Sequence, residues 1–179
     1  MTDWIFRRYQ KPVRLRLMPD YEIRYACEND ADAIACVLQE AFLEFKSIYT
    51  PEGFQATTPT CEQVLHRMSE GPIWVAILDQ RVIATVSGVP KGKSLYVRSM
   101  SVHPTVRAKG IARALLDHVE VFAYGGEYES MVLSTTPFLA AAISLYERFG
   151  FSRSVEGPHD LYGTPLFTMV KKLTAHRDI

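Results

Sequence analysis

Apolar positions along the chain switch between a spacing of two and a spacing of three or four, and the switches mark its elements. Tyr21–Ala26 alternates and predicts a short strand. Asn29 or Asp30 is a natural N-cap for a helix whose apolar residues fall at Ile34, Val37, Leu38, Ala41, Phe42 and Phe45. Residues 47–59 (SIYTPEGFQATTP) hold turn formers and hydroxyls and predict a loop. Thr60 and Gln63 make a capping-box pattern for a short helix with Val64, Leu65 and Met68 on one face, and Gly71-Pro72 ends it. Ile73–Leu78 and Val82–Val89, joined tightly through Asp79–Arg81, predict a hairpin. Leu95–Val102 predicts a third strand after a turn at Pro90–Lys93.

The third strand breaks phase. Leu95 and Val97 are odd-numbered, while Met100 and Val102 are even, so a strict period of two cannot put all four on one face. One extra residue near Arg98-Ser99, a β-bulge, repairs the phase; a strand buried on both faces has no phase to break. Downstream, Lys109–Tyr124 is the clearest helix, with Ile111, Leu115, Leu116, Val119, Phe122 and Ala123 on one face and Gly125-Gly126 as its stop. Met131–Ser134 predicts a strand. Thr136 and Pro137 predict the cap and first turn of a helix ending at Gly150. Phe151 onward and Leu166–Leu173 predict the last strands. This order suits a mixed sheet covered by helices on both faces.

Composition narrows the classes. The 179 residues suit one domain, and 47% hydrophobic with 22% charged residues is globular usage. Lys+Arg and Asp+Glu both number 20, so no global basic footprint marks nucleic acid or an anionic membrane as partner. Cys27, Cys36 and Cys61 have no CxxC spacing, which argues against a zinc site and a disulfide framework. No run of 18 apolar residues exists and the N-terminus lacks a signal peptide's apolar region, so a soluble, cytoplasmic protein is expected. Residues 1–20 form a basic extension (Arg7, Arg8, Lys11, Arg14, Arg16), either a solvated arm or one that contacts an anion or a second subunit. The domain is expected at 21–173 and a short tail at 174–179.

The chemistry concentrates in Ser101–Ala112 (SVHPTVRAKGIA), where a strand runs through a turn into a helix. The first N–H groups of a helix lack intrahelical partners, and its dipole adds positive charge there. Gly110 and Ala112 keep side chains small where an anion would touch backbone, and Arg107, Lys109 and Arg113 add charge with no acid until Asp117. Neither GxxxxGK[ST] nor GxGxxG is present, so neither common nucleotide loop applies. The segment alone is equally an ordinary strand–helix connection.

A second stretch adds to it: Ser134-Thr135-Thr136-Pro137, then a helix ending Ser144-Leu145-Tyr146-Glu147-Arg148-Phe149-Gly150-Phe151. Together the two resemble the GCN5-related N-acetyltransferase (GNAT) superfamily. Val102, Pro104, Arg107, Gly110 and Ala112 match the family's pyrophosphate motif. Ala142, Leu145, Tyr146, Gly150 and Phe151 match its tyrosine-bearing helix, and Ile23–Ala26 with Asp30–Ile34 resembles its opening. The resemblance covers about residues 21–173. It implies the acyl-CoA N-acyltransferase fold, an α+β three-layer α/β/α architecture with a mixed, largely antiparallel sheet. It also implies acetyl-CoA as co-substrate, no metal, and direct transfer to a primary amine of a small molecule or a peptide N-terminus. A non-catalytic acyl-CoA sensor on the same scaffold is the alternative, and a third reading is a scaffold with an unused site. Homodimers are common in the family, and nothing in the sequence decides for or against one.

The resemblance also assigns roles. Met100, Ser101 and Val102 would run beside the pantetheine arm, in a strand splayed from Met131–Ser134. Arg107, Ala108, Lys109, Gly110, Ile111 and Ala112 would cradle the pyrophosphate. A backbone N–H near Met100 or Ser101 would stabilise the carbonyl oxygen, and Tyr146 would protonate the leaving thiolate. Arg98, Ser99, Tyr49, Phe54 and Ser134 would face the acceptor, together with Phe45, Gln55, Thr57 and Thr58. If Arg98 faces it, a carboxylate-bearing acceptor such as an amino acid is favoured. Two departures stand out. Leu139 replaces the asparagine often found before the tyrosine, and Tyr96 replaces a frequent glutamate base. No general base is therefore assigned, and His103 is a weak candidate.

Overall fold

A computed structural model describes residues 21–157 and 159–173. The basic extension read at 1–20 and the tail at 174–179 lie outside the described residues. The chain runs β1 (Glu22–Tyr25), α1 (Ala31–Phe42), α2 (Pro51–Thr57), α3 (Cys61–Met68), β2 (Ile73–Leu78), β3 (Arg81–Lys91) and β4 (Ser94–Val102). It continues through α4 (Ile111–Gly125), β5 (Ser130–Thr135), α5 (Ala140–Phe149), β6 (Ser152–Arg153), β7 (His159–Leu161) and β8 (Thr164–Lys172). The sheet order is β1-β2-β3-β4-β5-β8-β6, with β7 paired to β8 off this path. β4–β5 is parallel and the other pairings are antiparallel.

Two cores sandwich the sheet. On one face Ile34 and Leu38 of α1 and Val64 of α3 close on Ile73 and Val75. On the other, Leu115, Leu116 and Val119 of α4 and Tyr146 and Phe149 of α5 close on Trp74, Val86, Leu95, Val97 and Met131. Each of these helices presents an apolar stripe and so needs a sheet face to cover it. The expected α+β three-layer architecture is the observed one.

The bulge sits where the broken phase placed it. Thr85 pairs with Ser101 and Ser87 with Arg98, so β3 advances two residues while β4 advances three. Ser99 takes up the extra step with φ of 52°. Leu95 and Val97 before the bulge and Met100 and Val102 after it all pack on the α4 side.

Three expectations change. The loop 47–59 contains α2, started by Thr50, whose hydroxyl accepts from the Gly53 N–H at 3.1 Å, and by Pro51 in the first turn. That Thr-Pro signal was present in the sequence. The helix expected from Thr136-Pro137 begins only at Ala140. Phe138 instead packs edge-on against Tyr49, centroids 4.9 Å apart, and the backbone turns with Leu139 N–H donating to the Thr136 carbonyl. Asp30 stands at the α1 N-cap, but its carboxylate accepts from Arg24 at 2.7 and 2.9 Å and from the Cys27 N–H, not from α1 amides.

Candidate active site

The parallel β4–β5 ladder pairs Ser94–Ser130, Leu95–Met131 and Tyr96–Val132, and goes no further. Beyond Tyr96 the two strands part. A cleft of about 1110 Å³ opens there and runs over the sheet edge, from the α4 N-terminus to the α1–α2–α3 side. Ser99 and Met100 have no partner residue in β3, because the bulge skips them. Both residues line the cleft.

At one end lies the turn before α4. Ala108 and Gly110 have φ of 61° and 81°, and Gly110 is the N-cap of α4. Positive φ at alternate residues curls the backbone so that successive N–H groups converge, a shape that holds anions. A Cβ added at Gly110 would meet no atom within 4 Å, so conformation rather than crowding favours glycine there. Gly110, Ile111 and Ala112, at the start of a 15-residue helix, line the cleft, and the first amides of a helix are ready donors to an anion. Arg113 and Arg148 line this end. Donor set, helix terminus and open strand edge all fit the diphosphate and amide-rich arm of a CoA molecule.

Arg107 does something the sequence did not show. Its guanidinium donates to the Ala41 carbonyl at 2.9 Å and the Val102 carbonyl at 3.3 Å, and pairs with Glu44. Its charge is largely spent fastening the end of α1 to the end of β4. Lys109 is exposed and stands outside the cleft wall, next to Ala108 and Gly110, which line it. The other residues read as cofactor contacts (Met100, Ser101, Val102, Arg107, Ala108, Gly110, Ile111 and Ala112) all line the cleft.

Tyr146 of α5 also lines the cleft, 8% exposed, with its ring edge-on to Phe151 at 5.9 Å. Burial pushes its phenol above the usual tyrosine range, and nearby Tyr49 and Tyr96 push the same way. It is therefore neutral and carries its proton at physiological pH. Tyr49 is raised too, chiefly by burial, against the opposing effect of the Thr136 and Thr57 hydroxyls.

The acceptor end is roofed by α1 and α2. Tyr49, Arg98, Ser99 and Ser134 line the cleft, as do Phe45 and Thr57. Phe54 stands behind the wall, buried against Tyr49 at 6.2 Å. Sequence reasoning missed Arg67. It lies on α3, far from either motif, and donates to Ser99 Oγ at 3.1 Å and the Ala56 carbonyl at 3.0 Å. Only tertiary packing brings it to the bulge. His103, the weak base candidate, is outside the wall and its Nε2 pairs with Glu40 at 2.5 Å. Among the described residues the wall carries five arginines (67, 98, 107, 113 and 148) and no Asp, Glu or Lys. No group of three or more His, Cys, Asp or Glu among them could hold a metal ion.

A family model described as acetyltransferase (GNAT) family matches residues 14–151. The chain belongs to the GNAT acetyltransferase family. Among its GNAT relatives, the N-acetylaspartate synthetase of Homo sapiens is 30% identical over 146 residues, which is 76% of this chain and 48% of that protein. The N-acetylaspartate synthetase of Xenopus tropicalis is 39% identical over 92 residues, 50% of this chain and 34% of the relative. The match thus spans about half or less of those relatives' length. Solved GNAT structures superpose closely. The PaiA N-acetyltransferase of Thermoplasma acidophilum, in complex with coenzyme A, gives a TM-score of 0.70 at 18% identity over 86% of this chain and 99% of that one. At that identity the likeness carries the fold.

Proposed function

We propose that this GNAT chain is an acetyl-CoA-dependent N-acetyltransferase that acetylates the primary amine of a small, carboxylate-bearing acceptor. The observation that carries the reading is the opening of the sheet at Tyr96–Val132 directly onto a buried, protonated Tyr146. Strand edge 98–102 offers hydrogen bonds to an extended amide chain, and the amides of 108–112 offer the anion cradle. Acetyl-CoA supplies the activated acetyl group. The amine nitrogen forms the new C–N bond as the C–S bond breaks. A backbone N–H at Met100 or Ser101 faces the carbonyl oxygen as charge gathers there. Tyr146 gives its proton to the leaving thiolate, and the proton shed by the amine passes through solvent and restores the phenol. The described wall carries no carboxylate, and no general base is assigned; water relayed by backbone carbonyls, or a residue of the loop, would take the proton of the ammonium.

Arg98 at the acceptor end supports a carboxylated acceptor, as does the name of the N-acetylaspartate synthetases among the relatives. Three free cysteines support a reducing compartment, the cytoplasm, as the place of action. Among the described residues no helix is long and apolar enough to cross a membrane.

The test is a screen of primary amines for CoA release from acetyl-CoA, with Tyr146→Phe and Gly110→Glu as controls. Release with at least one amino acid, lost in Tyr146→Phe, supports the reading. Binding of acetyl-CoA with no release on any amine would favour the sensor alternative. Stabilisation by CoA that survives Gly110→Glu would refute the placement of the cradle.

A further inference from the structure

Two arginines of the cleft wall stand away from the anion cradle. Arg67 and Arg98 meet at the bulge, at the acceptor end. Arg67 uses its guanidinium on two neutral oxygens, Ser99 Oγ and the Ala56 carbonyl, and has no acidic partner among the described residues. Arg98 pairs through Nη2 with Glu70, just past the end of α3, while its buried Nε takes no hydrogen bond. Ser101, three residues along β4, is 6% exposed and lines the cleft with a hydroxyl that also lacks a partner. Two positive charges thus face one negative charge, and two buried polar atoms beside them are unsatisfied. Burial lowers both guanidiniums, and Arg67 adds repulsion at Arg98, as expected where negative charge is in short supply.

We infer that Arg67 and Arg98 form a two-guanidinium seat for an acceptor carrying two carboxylates, and that Glu70 is a resident carboxylate which one of them displaces. The inference rests on the N-acetyltransferase reading above and names the substrate class of its acceptor end. One carboxylate meets the unpaired charge of Arg67. The other replaces Glu70 on Arg98, where the free Nε completes a two-point contact of the kind guanidinium makes best. Glu70 can leave because its side chain is about one-third exposed and its other partner, His66 Nδ1, is 3.9 Å away. Displacing Glu70 offsets part of what Arg98 contributes, and the added contact at Nε, which has no partner in the free protein, supplies the remainder. An acceptor with a single carboxylate fills Arg67 and leaves Glu70 in place.

The experiment titrates the protein saturated with CoA, which cannot acetylate, with three near-isosteric amines: L-aspartate, L-asparagine and L-asparaginamide. They carry two carboxylates, one and none. Calorimetry is expected to show aspartate binding about tenfold or more tighter than asparagine, and asparaginamide weakest. Arg67→Gln and Arg98→Gln are each expected to weaken aspartate about tenfold or more while CoA affinity, the control for folding, is kept. Glu70→Gln removes the carboxylate that aspartate must displace from Arg98, so aspartate gains more than asparagine and the gap between them widens. Equal affinity for the three amines, or a Glu70→Gln variant in which aspartate gains no more than asparagine, overturns the inference. Because no turnover is needed, this outcome is separate from the fate of the N-acetyltransferase reading. Acetyl transfer to some other amine sustains that reading even if the seat fails, and absence of transfer leaves the binding series intact.

Discussion

A phenol that gives a proton to a thiolate must be neutral before the step and beside the sulfur during it. Tyr146 meets the first condition through burial, which raises it above the ordinary phenol range. Tyr146→Phe keeps the ring against Phe151 and removes only the proton, so kcat should fall about 100-fold with little change in the KM for acetyl-CoA. Stopped-time assays of CoA release at saturating amine measure this. An unchanged kcat would remove Tyr146 from the chemistry. The alkaline side of the pH profile should show no loss from Tyr146 below about pH 10. Tyr146 was legible because the residues around it (Ala142, Leu145, Gly150, Phe151) share one local motif. Arg67 was not, since an arginine on the polar face of a short helix has no local mark until α3 is folded against β4. Arg107 was legible in place but not in partner, because Glu44 and the Ala41 carbonyl lie over sixty residues away.

Among the elements, β1 and α1 are joined by one buried acid. Asp30 accepts two hydrogen bonds from Arg24 and one from the Cys27 N–H, and the Arg24 guanidinium draws its carboxyl down to about 2 from an ordinary 3.8. A depressed native value stabilises the fold wherever the unfolded chain would be ionised. The contribution is on the order of 2 kcal/mol, complete above the ordinary value and lost as pH falls from about 4 towards 2. Asp30→Asn should therefore cost about that much at neutral pH, and its deficit should shrink over that acid window in urea denaturation series. A deficit constant with pH would show that shape rather than charge is at stake. The same corner shows why caps read from sequence can mislead. Asp30 holds the expected position, but a strand arginine outcompetes the helix amides for its oxygens. The bulge, by contrast, was legible because a phase break is a property of four nearby residues, Leu95, Val97, Met100 and Val102. The late start of α5 was not, because it is set by Phe138 seeking Tyr49 across the cleft.

At the scale of the whole molecule, the roof of the acceptor end ties an early segment to the last hairpin. Thr50 N–H donates to Thr164 Oγ1 at 3.0 Å, and the Thr50 hydroxyl donates to the Tyr162 carbonyl at 2.8 Å. The fit is tight: a Cβ at Gly53 would come within 2.5 Å of Thr164 Oγ1 and 2.9 Å of the Leu161 carbonyl. Gly53→Val should lift α2 off β7–β8. The expected result is a KM for the acceptor raised about tenfold or more, with acetyl-CoA affinity unchanged. Initial-rate kinetics against each substrate separate the two. Equal losses for both would mean that the damage had spread beyond the roof.

The early end of the β4–β5 ladder carries one more consequence. Antiparallel pairing holds β1–β4 together on one side and β5–β8 on the other, but among the described residues only the rungs from Ser94–Ser130 to Tyr96–Val132 join the halves within the sheet. The seam is a natural hinge, and anything lying along it acts as a splint. Amide protons of residues 97–102 and 133–135 should exchange with deuterium faster than those of β2 and β3 in the free protein, and slow markedly when CoA is added.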